Sequence, residues 1–137
     1  MERQQISSGT PWEERAAYSR AVKVGPLVYI SGTTAIDAEG KIQHPGDLYG
    51  QAAYVLAKIE AALESVGAER GHIVRSRVYI TQMDQSAQVI RAHKEFFDAV
   101  RPANTLVEVS QLATPDMLVE IEVDAVLSGQ VSSGRIE

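Results

Sequence analysis

The sequence contains no cysteine, so it offers no disulfide, no thiolate metal ligand and no cysteine nucleophile. This absence is typical of a reducing compartment, and we expect a cytoplasmic protein. No apolar run approaches the roughly 18 consecutive residues that a membrane span requires. The first residues, Met1 to Gln5, lack the basic start and apolar run of a signal peptide. We therefore expect neither a membrane partner nor a secretion signal.

Positive charge is also scarce, with 13 lysines and arginines against 18 acidic residues and a net charge of −5. A nucleic-acid-binding surface needs clustered basic residues to displace counterions, so we expect no nucleic-acid partner. The three histidines, His44, His72 and His93, show no metal-ligand spacing. Ser31-Gly32 is isolated rather than part of a glycine-rich phosphate loop, and no GxSxG motif is present. We expect no metal and no cofactor.

At 137 residues, the length favours one domain, which we place at residues 1–127. Residues 128–137 are small and polar, and we expect them to form a flexible tail. The apolar fraction of 45% is ordinary for a globular chain and sufficient for a core.

Two periodicities divide the chain. Runs of β-branched and aromatic residues predict strands at 18–24 and 27–31, joined across Gly25-Pro26 as a hairpin, and again at 73–80, 104–110 and 118–127. Apolar residues at helical spacing predict helices over about 48–66 and 84–100. Residues 1–15 are polar and are interpreted as irregular. These elements predict an α+β fold with one mixed sheet and two helices on one face. The bare opposite face suggests an oligomer.

The last predicted strand places acids on that bare face. Glu120, Glu122 and Asp124 alternate with apolar residues, about 7 Å apart along the face. One interpretation is a solvated surface with weak ion pairs. The other is a polar cleft between subunits, where crowding and burial raise carboxyl pKa values towards acid-base catalysis. The pattern alone leaves both open.

Several segments in order resemble the RidA/YjgF family of reactive intermediate deaminase-like proteins. They span about residues 16–127 and are YSRAVKVG from Tyr18, LVYISG from Leu27, VYITQM from Val78, PANTLVEV from Pro102 and VEIEV from Val119. The resemblance implies a chorismate-mutase-like two-layer fold. It also implies a homotrimer with a central barrel and clefts between subunits. The implied activity is hydrolysis of 2-imino acids and enamines to 2-oxo acids and ammonia.

The resemblance also implies roles for individual residues. Glu120 matches the family's catalytic glutamate, and Tyr18, Ser31 and Gly32 match positions that line the cleft. Asn104 stands where the family has an arginine that clamps the substrate carboxylate, and we expect Asn104 and its neighbour Thr105 to contribute to substrate binding. Asparagine has only neutral donors, so we expect 2-imino acids to bind at least roughly tenfold more weakly.

Another cation could replace the missing charge, and the candidates are Arg20 and Arg77. Arg20 shares strand parity with Tyr18, and Arg77 lies in a neighbouring predicted strand. Two functional hypotheses follow. The first is a hydrolytic deaminase of imines or enamines with a non-standard substrate. The second is a non-catalytic protein that binds or senses a small metabolite in the same cleft. A third, nucleic-acid-directed role is disfavoured by the acidic charge.

Overall fold

The computed structural model describes residues 1–127 and 133–136. Residues 128–132 and 137 lie outside this description, and with them most of the tail that we predicted to be flexible. Across the described ranges, no helix has the length and apolar character needed to cross a membrane.

The chain forms one six-stranded mixed sheet with helices, which confirms the predicted α+β class. The strands lie in the order β1-β2-β3-β6-β4-β5, and every neighbouring pair is antiparallel except the parallel pair β4–β5. The elements, in chain order, are β1 (Arg3–Ile6), α1 (Pro11–Ala16), β2 (Ala21–Val24), β3 (Leu27–Thr33), α2 (Leu48–Glu64), β4 (Ile73–Ile80), α3 (Ser86–Phe97), β5 (Ala103–Glu108) and β6 (Val119–Val126). Short 3-10 turns precede β4 and α3.

The prediction that residues 1–15 are irregular is wrong. Residues 3–6 form strand β1 at the sheet edge, where their side chains are mostly exposed, so no apolar alternation announces the strand. Residues 11–16 form α1, which starts at Pro11, a residue suited to the first helical position. Tyr18 lies in the connection after α1, because β2 begins only at Ala21. The observed order is therefore β-α-β-β-α-β-α-β-β.

The core lies between one sheet face and the two long helices, as the periodicities predict. The apolar stripe that the sequence predicts along α2 is buried. The apolar residues of β6 are buried too, and they are Val119, Ile121, Val123 and Ala125. The predicted stripe of α2 comprises Ala52, Leu56, Ile59, Leu63 and Val66. Full burial of one such leucine or isoleucine contributes roughly 1.5–3 kcal/mol. The acids of β6 alternate with the apolar residues of that strand and point to the opposite face of the sheet, away from the core.

One buried polar residue holds the connection between β5 and β6 against α2. The Gln51 side chain is fully buried, and its Oε1 accepts a hydrogen bond from the Leu118 N–H at 2.9 Å. Its Nε2 donates to the Asp116 carbonyl at 3.0 Å and to the His44 carbonyl at 3.3 Å. These bonds fix the segment that carries Ala113 and Met117, two residues of the cavity described below.

Candidate functional site

A cavity of about 340 Å³ opens beside β3 and β6, and it has the size of a small-metabolite site. Its walls come from α1, the segment before β2, β3 and the loop after it, α2, the β5–β6 connection and β6. Five residues that the sequence singled out lie together in these walls: Tyr18, Arg20, Ser31, Gly32 and Glu120. Most of the side chains that the sequence suggested as functional therefore line one cavity.

Glu120 lies against the backbone of β3. The register between β3 and β6 shifts between Ile30 and Thr33, which places this irregularity at Ser31-Gly32. A Cβ on Gly32 would collide with the Glu120 carboxylate, so only glycine allows this approach. Burial raises the pKa of Glu120, and the negative charge of Glu122 raises it further, against the opposing effect of Arg20. A carboxyl with a raised pKa is better suited to giving and taking a proton than an ordinary surface acid.

Ser31 and Tyr18 line the same cavity as this carboxyl. The Ser31 hydroxyl donates to the Ser19 carbonyl at 2.6 Å, and its N–H donates to the Arg20 carbonyl at 3.0 Å. The serine oxygen is thereby held in place and can still accept a hydrogen bond. Tyr18 is 39% exposed, and the Arg20 guanidinium lies 5.6 Å from its ring centroid. Tyr18 thus offers an amphipathic surface at the cavity opening.

Arg20 is buried behind the β3 bulge. Its Nη1 donates to the Gly32 carbonyl at 2.7 Å and to Thr33 Oγ1 at 3.0 Å, and its Nη2 lies 3.5 Å from Glu13 Oε2. Its Nε is buried and has no hydrogen-bond partner among the described residues. The guanidinium therefore joins α1 to the bulge and brings a fixed positive charge to the cavity wall.

Glu13, the partner of Arg20, was not found from the sequence because residues 1–15 showed no pattern. Burial raises its pKa, but hydrogen bonds from Ser8 and Thr10 outweigh burial and lower it from 4.5 to about 2. The carboxylate is therefore ionised across the physiological range and anchors α1 at the cavity edge.

Acid is expected to weaken this anchor. A folded-state pKa of about 2 below an ordinary value of 4.5 means that Glu13 contributes stability above pH 4.5, and that this stability is lost as the pH falls towards 2. Urea denaturation across this window should show a steeper loss for the wild type than for Glu13→Gln. Glu14→Gln, which changes an exposed acid of the same helix, is the control and should follow the wild type. Parallel curves for wild type and Glu13→Gln would contradict the assignment.

Lys58 is a second cation in the cavity wall, and no sequence motif indicated it. It is half-buried on α2, and its Nζ donates to the carbonyls of Thr34 at 2.9 Å and Ile36 at 2.8 Å. Burial lowers the pKa of Lys58 to about 8, and the neighbouring charge of Arg20 lowers it in the same direction. Only the packing of α2 against the loop after β3 brings this side chain to the cavity.

Arg77 and Thr105 lie outside the cavity, on the open face of the sheet. Arg77 Nη1 lies 3.3 Å from Asp124 Oδ2 and 4.0 Å from Glu122 Oε2. Thr105 pairs with Arg77 across the parallel β4–β5 register. The Tyr79 hydroxyl donates to Glu122, and this hydrogen bond is the main reason that the pKa of Tyr79 is raised. Arg77 thus belongs to a surface charge network rather than to the Glu120 cavity.

Asn104 lies apart from Glu120 within one chain. It pairs with Ser76, which in turn pairs with Val123, three residues from Glu120 along β6 and on the helix-covered face. The Ser76 hydroxyl donates to Asn104 Oδ1 at 2.8 Å and lies 2.8 Å from His93 Nε2 on α3. Asn104 lines a second, smaller cavity of about 150 Å³ between α3 and the sheet. In residues 1–127 and 133–136, no group of three His, Asp or Glu side chains is placed to hold a metal ion.

The fold and the Glu120 cavity define a small α+β protein with one open cavity beside β3 and β6 that is lined by both acidic and basic side chains. The sequence profile of the family described as Endoribonuclease L-PSP matches residues 10–127. The chain belongs to this family, which is the RidA/YjgF family that its segments resemble.

Relatives match over most of their length. An uncharacterised protein of Streptomyces coelicolor is 36% identical over 120 residues, covering 88% of this chain and 89% of that protein. A RutC family protein of Pyrococcus abyssi is 35% identical over 108 residues, which cover 79% of this chain and 84% of that protein. Among solved structures, Rv2704 of Mycobacterium tuberculosis, a YjgF/YER057c/UK114 family member, superposes with a TM-score of 0.83 at 38% identity, covering 91% and 99%. TdcF of Escherichia coli, solved with bound serine, superposes with a TM-score of 0.75 at 29% sequence identity. The match covers 90% of this chain and 94% of TdcF.

Proposed function

We propose that this protein is a hydrolytic deaminase of imine or enamine intermediates whose substrate is not the usual 2-imino acid of the family. The observation that carries the proposal is the half-buried Glu120 carboxyl, with its raised pKa, held against the Gly32 backbone inside a small cavity. The departure from the usual substrate rests on Asn104, which stands where the resemblance to the family implies a carboxylate-clamping arginine.

The chemistry needs one group that first gives and then takes a proton. Protonated Glu120 donates to the imine nitrogen, which makes the carbon electrophilic. Water adds to that carbon, and the Glu120 carboxylate accepts the proton that the water releases. Collapse of the resulting amino alcohol gives a ketone and ammonia, so that imine plus water balances ketone plus ammonia. General acid-base catalysis of this kind contributes roughly 10²–10⁴-fold to a rate.

The working form is proposed to be a homotrimer with its clefts between subunits. Large apolar side chains are exposed on the strands, namely Leu27, Tyr29, Val74 and Val107. Strand β5 is an edge strand with mostly exposed residues, which favours its burial against another copy. Asn104 could then face the Glu120 cavity of a neighbouring copy, which it does not face in its own chain. Light scattering of the purified protein tests the trimer, and a monomer would contradict it.

The second candidate function is non-catalytic binding of a metabolite, and the hydrogen bonding of Asn104 favours it. The Asn104 carbonyl oxygen accepts from Ser76, so a ligand is offered only the neutral amide N–H groups. The serine bound to TdcF supports small-molecule binding in a relative. If this chain binds a metabolite but does not convert it, the cavity would serve as a sensing site.

The test is hydrolysis of imines generated in place by an amino-acid oxidase, with semicarbazide as the competing trap. We expect the protein to lower the amount of trapped imine for part of a panel of side chains. Asn104→Arg should raise the rate on ordinary 2-imino acids about tenfold, because it restores a charged donor. Gln82→Arg is the control, since it adds the same charge at an exposed position outside the cavity. Ligand binding without turnover of any imine in the panel would overturn the deaminase and favour the binding protein.

A further inference from the structure

Lys58 is a cation of the Glu120 cavity that the proposed chemistry does not use. It lies on α2, and its Nζ donates to the carbonyls of Thr34 at 2.9 Å and Ile36 at 2.8 Å. Lys58, Thr34 and Ile36 all line the cavity. Within residues 1–127 and 133–136, no carboxylate forms an ion pair with this ammonium. Its hydrogen-bond acceptors in this part of the chain are therefore neutral carbonyls.

The two carbonyls suit the neutral form of this amine as well as its charged form. A neutral amine has two N–H groups and one lone pair, and the carbonyls of Thr34 and Ile36 can accept both N–H groups. The lone pair then points away from both carbonyls, so neither of them engages it. It stays available to an electrophile that enters the cavity.

The charges around Lys58 favour the neutral amine. Burial lowers the pKa of Lys58 to about 8, and the positive charge of Arg20 acts in the same direction, against the negative charges of Glu13 on α1 and Asp37 in the loop after β3. Glu120 is the acid that lines the same cavity from β6, and its own pKa is raised. Burial and a neighbouring cation are the two conditions that activate nucleophilic lysines.

The other walls of the cavity limit what can reach this amine. Trp12 and Met117 give the cavity apolar surface, and its volume of about 340 Å³ admits a small organic molecule. An anion bound beside Lys58 would stabilise the ammonium and so remove the nucleophile. The partner that fits is small, neutral and largely apolar, with a carbon atom that an amine can attack.

We infer that Lys58 is a nucleophilic amine that forms a Schiff base with a small neutral aldehyde or ketone in the Glu120 cavity. The Nζ lone pair forms a bond to the carbonyl carbon, and the carbonyl π electrons move to the oxygen, which takes the first proton that the nitrogen gives up. The C–O bond then breaks, the nitrogen gives up its second proton, and the oxygen leaves as water. Amine plus carbonyl compound thus balances Schiff base plus water, and water reverses the step. This activity goes beyond the proposed deaminase, which does not use Lys58.

Reductive trapping tests this inference on the wild-type protein. Isobutyraldehyde is the probe because it is small, neutral and apolar, and cyanoborohydride reduces its Schiff base to a stable secondary amine. Peptide mapping by mass spectrometry separates the N-terminal amine from the lysines and reads the added isobutyl group at each of them, which are Lys23, Lys41, Lys58 and Lys94.

At neutral pH, Lys58 should be labelled at least about tenfold faster than the exposed Lys41 and Lys94. The reason is the supply of free amine. A pKa of about 8 leaves roughly a tenth of the Lys58 side chains unprotonated at pH 7, against less than about a thousandth for an ordinary lysine. Labelling of Lys58 at the same rate as Lys41, or no labelling of Lys58, would overturn the inference.

A variant that fills the cavity tests whether the aldehyde reaches Lys58 through it. Ala113 is an exposed residue of the cavity wall, so Ala113→Trp adds bulk there without disturbing the core. It should slow the labelling of Lys58 severalfold and leave that of Lys41 unchanged. Ala53→Trp makes the same change at an exposed position of α2 outside the cavity, and it should label like the wild type. Unchanged labelling of Lys58 in Ala113→Trp would contradict the assignment to this cavity.

The pH dependence checks that the free amine of Lys58 is the reacting form. The ratio of labelling at Lys58 to labelling at Lys41 should fall as the pH rises above about 8, because Lys58 has then lost its proton while an ordinary lysine still gains free amine. Taking the ratio cancels the pH dependence of the cyanoborohydride step. A ratio that stays constant from about pH 7 to 10 would count against a nucleophilic Lys58.

The Schiff base and the deaminase can fail separately. Selective labelling of Lys58 in a protein that hydrolyses no imine would leave the Schiff base and remove the proposed deaminase. Imine hydrolysis that needs Glu120, in a protein whose Lys58 is labelled no faster than Lys41, would do the reverse.

Discussion

Glu120→Gln is expected to lower imine hydrolysis at least about 100-fold, because the amide keeps the shape of the side chain but cannot give or take the proton. The expectation rests on position and on pKa together. The carboxyl lies in the cavity wall against Gly32, and burial followed by the charge of Glu122 raises its pKa. Steady-state rates from the oxidase-coupled assay, with unchanged thermal stability, would establish the effect as chemical rather than structural.

Glu122→Gln is the matched control, since it changes the next acid on the same face of β6. Glu122 accepts from the Tyr79 hydroxyl and does not line the cavity, so its loss should change the maximal rate only slightly. Its negative charge raises the pKa of Glu120, and its removal should therefore lower that pKa. Activity that needs protonated Glu120 falls as the pH rises, and in Glu122→Gln this fall should begin at a lower pH. Equal losses of hydrolysis rate in Glu120→Gln and Glu122→Gln would instead indicate that the overall negative charge of this sheet face controls the rate.

Gly32→Ala is expected to slow hydrolysis at least about tenfold and to destabilise the fold by about 1 kcal/mol, because the group it meets is the end of a side chain that can move aside. The backbone of Gly32 does not lie in the left-handed region, so the cost comes from space alone. The added Cβ would occupy the position of the Glu120 carboxylate and displace the reacting group. Equilibrium denaturation and the hydrolysis assay measure the two effects.

A double-mutant cycle with Glu120→Ala tests the steric cause. Once the carboxylate is gone, Gly32→Ala should cost much less stability, because the collision has been removed. Gly71→Ala is the control, since a Cβ there meets only Glu69 Oε1 at 3.4 Å in an exposed turn. That change should stay within about 0.5 kcal/mol. An equal cost of Gly32→Ala in both backgrounds would contradict the close contact between the two residues.

Periodicity predicted most of the fold because it is a local property. The spacing of apolar residues along α2 and the strict alternation along β6 each indicate an element and its buried face. The same reasoning failed at the N-terminus. Strand β1 pairs through its backbone at an edge, and α1 has only six residues, too few for a repeating pattern.

The candidate site was predicted only in part, for the same physical reason. Tyr18, Ser31, Gly32 and Glu120 lie in segments whose order resembles a known family, so the sequence could group them before any geometry was known. Glu13, by contrast, lies in a segment without pattern, and its contact with Arg20 depends on the turn that follows α1.

The sequence by itself determined the α+β class, the buried faces of α2 and β6, the row of acids on β6 and the membership of a family. These follow from local spacing and ordered segments, which need no knowledge of distant contacts. Only the tertiary structure decided that Arg20 and Lys58 line the cavity with Glu120, and that Asn104 and Arg77 lie outside it. Those placements depend on which strands are neighbours and on how α2 packs across the sheet. Such contacts join residues far apart in the chain, and no local pattern encodes them.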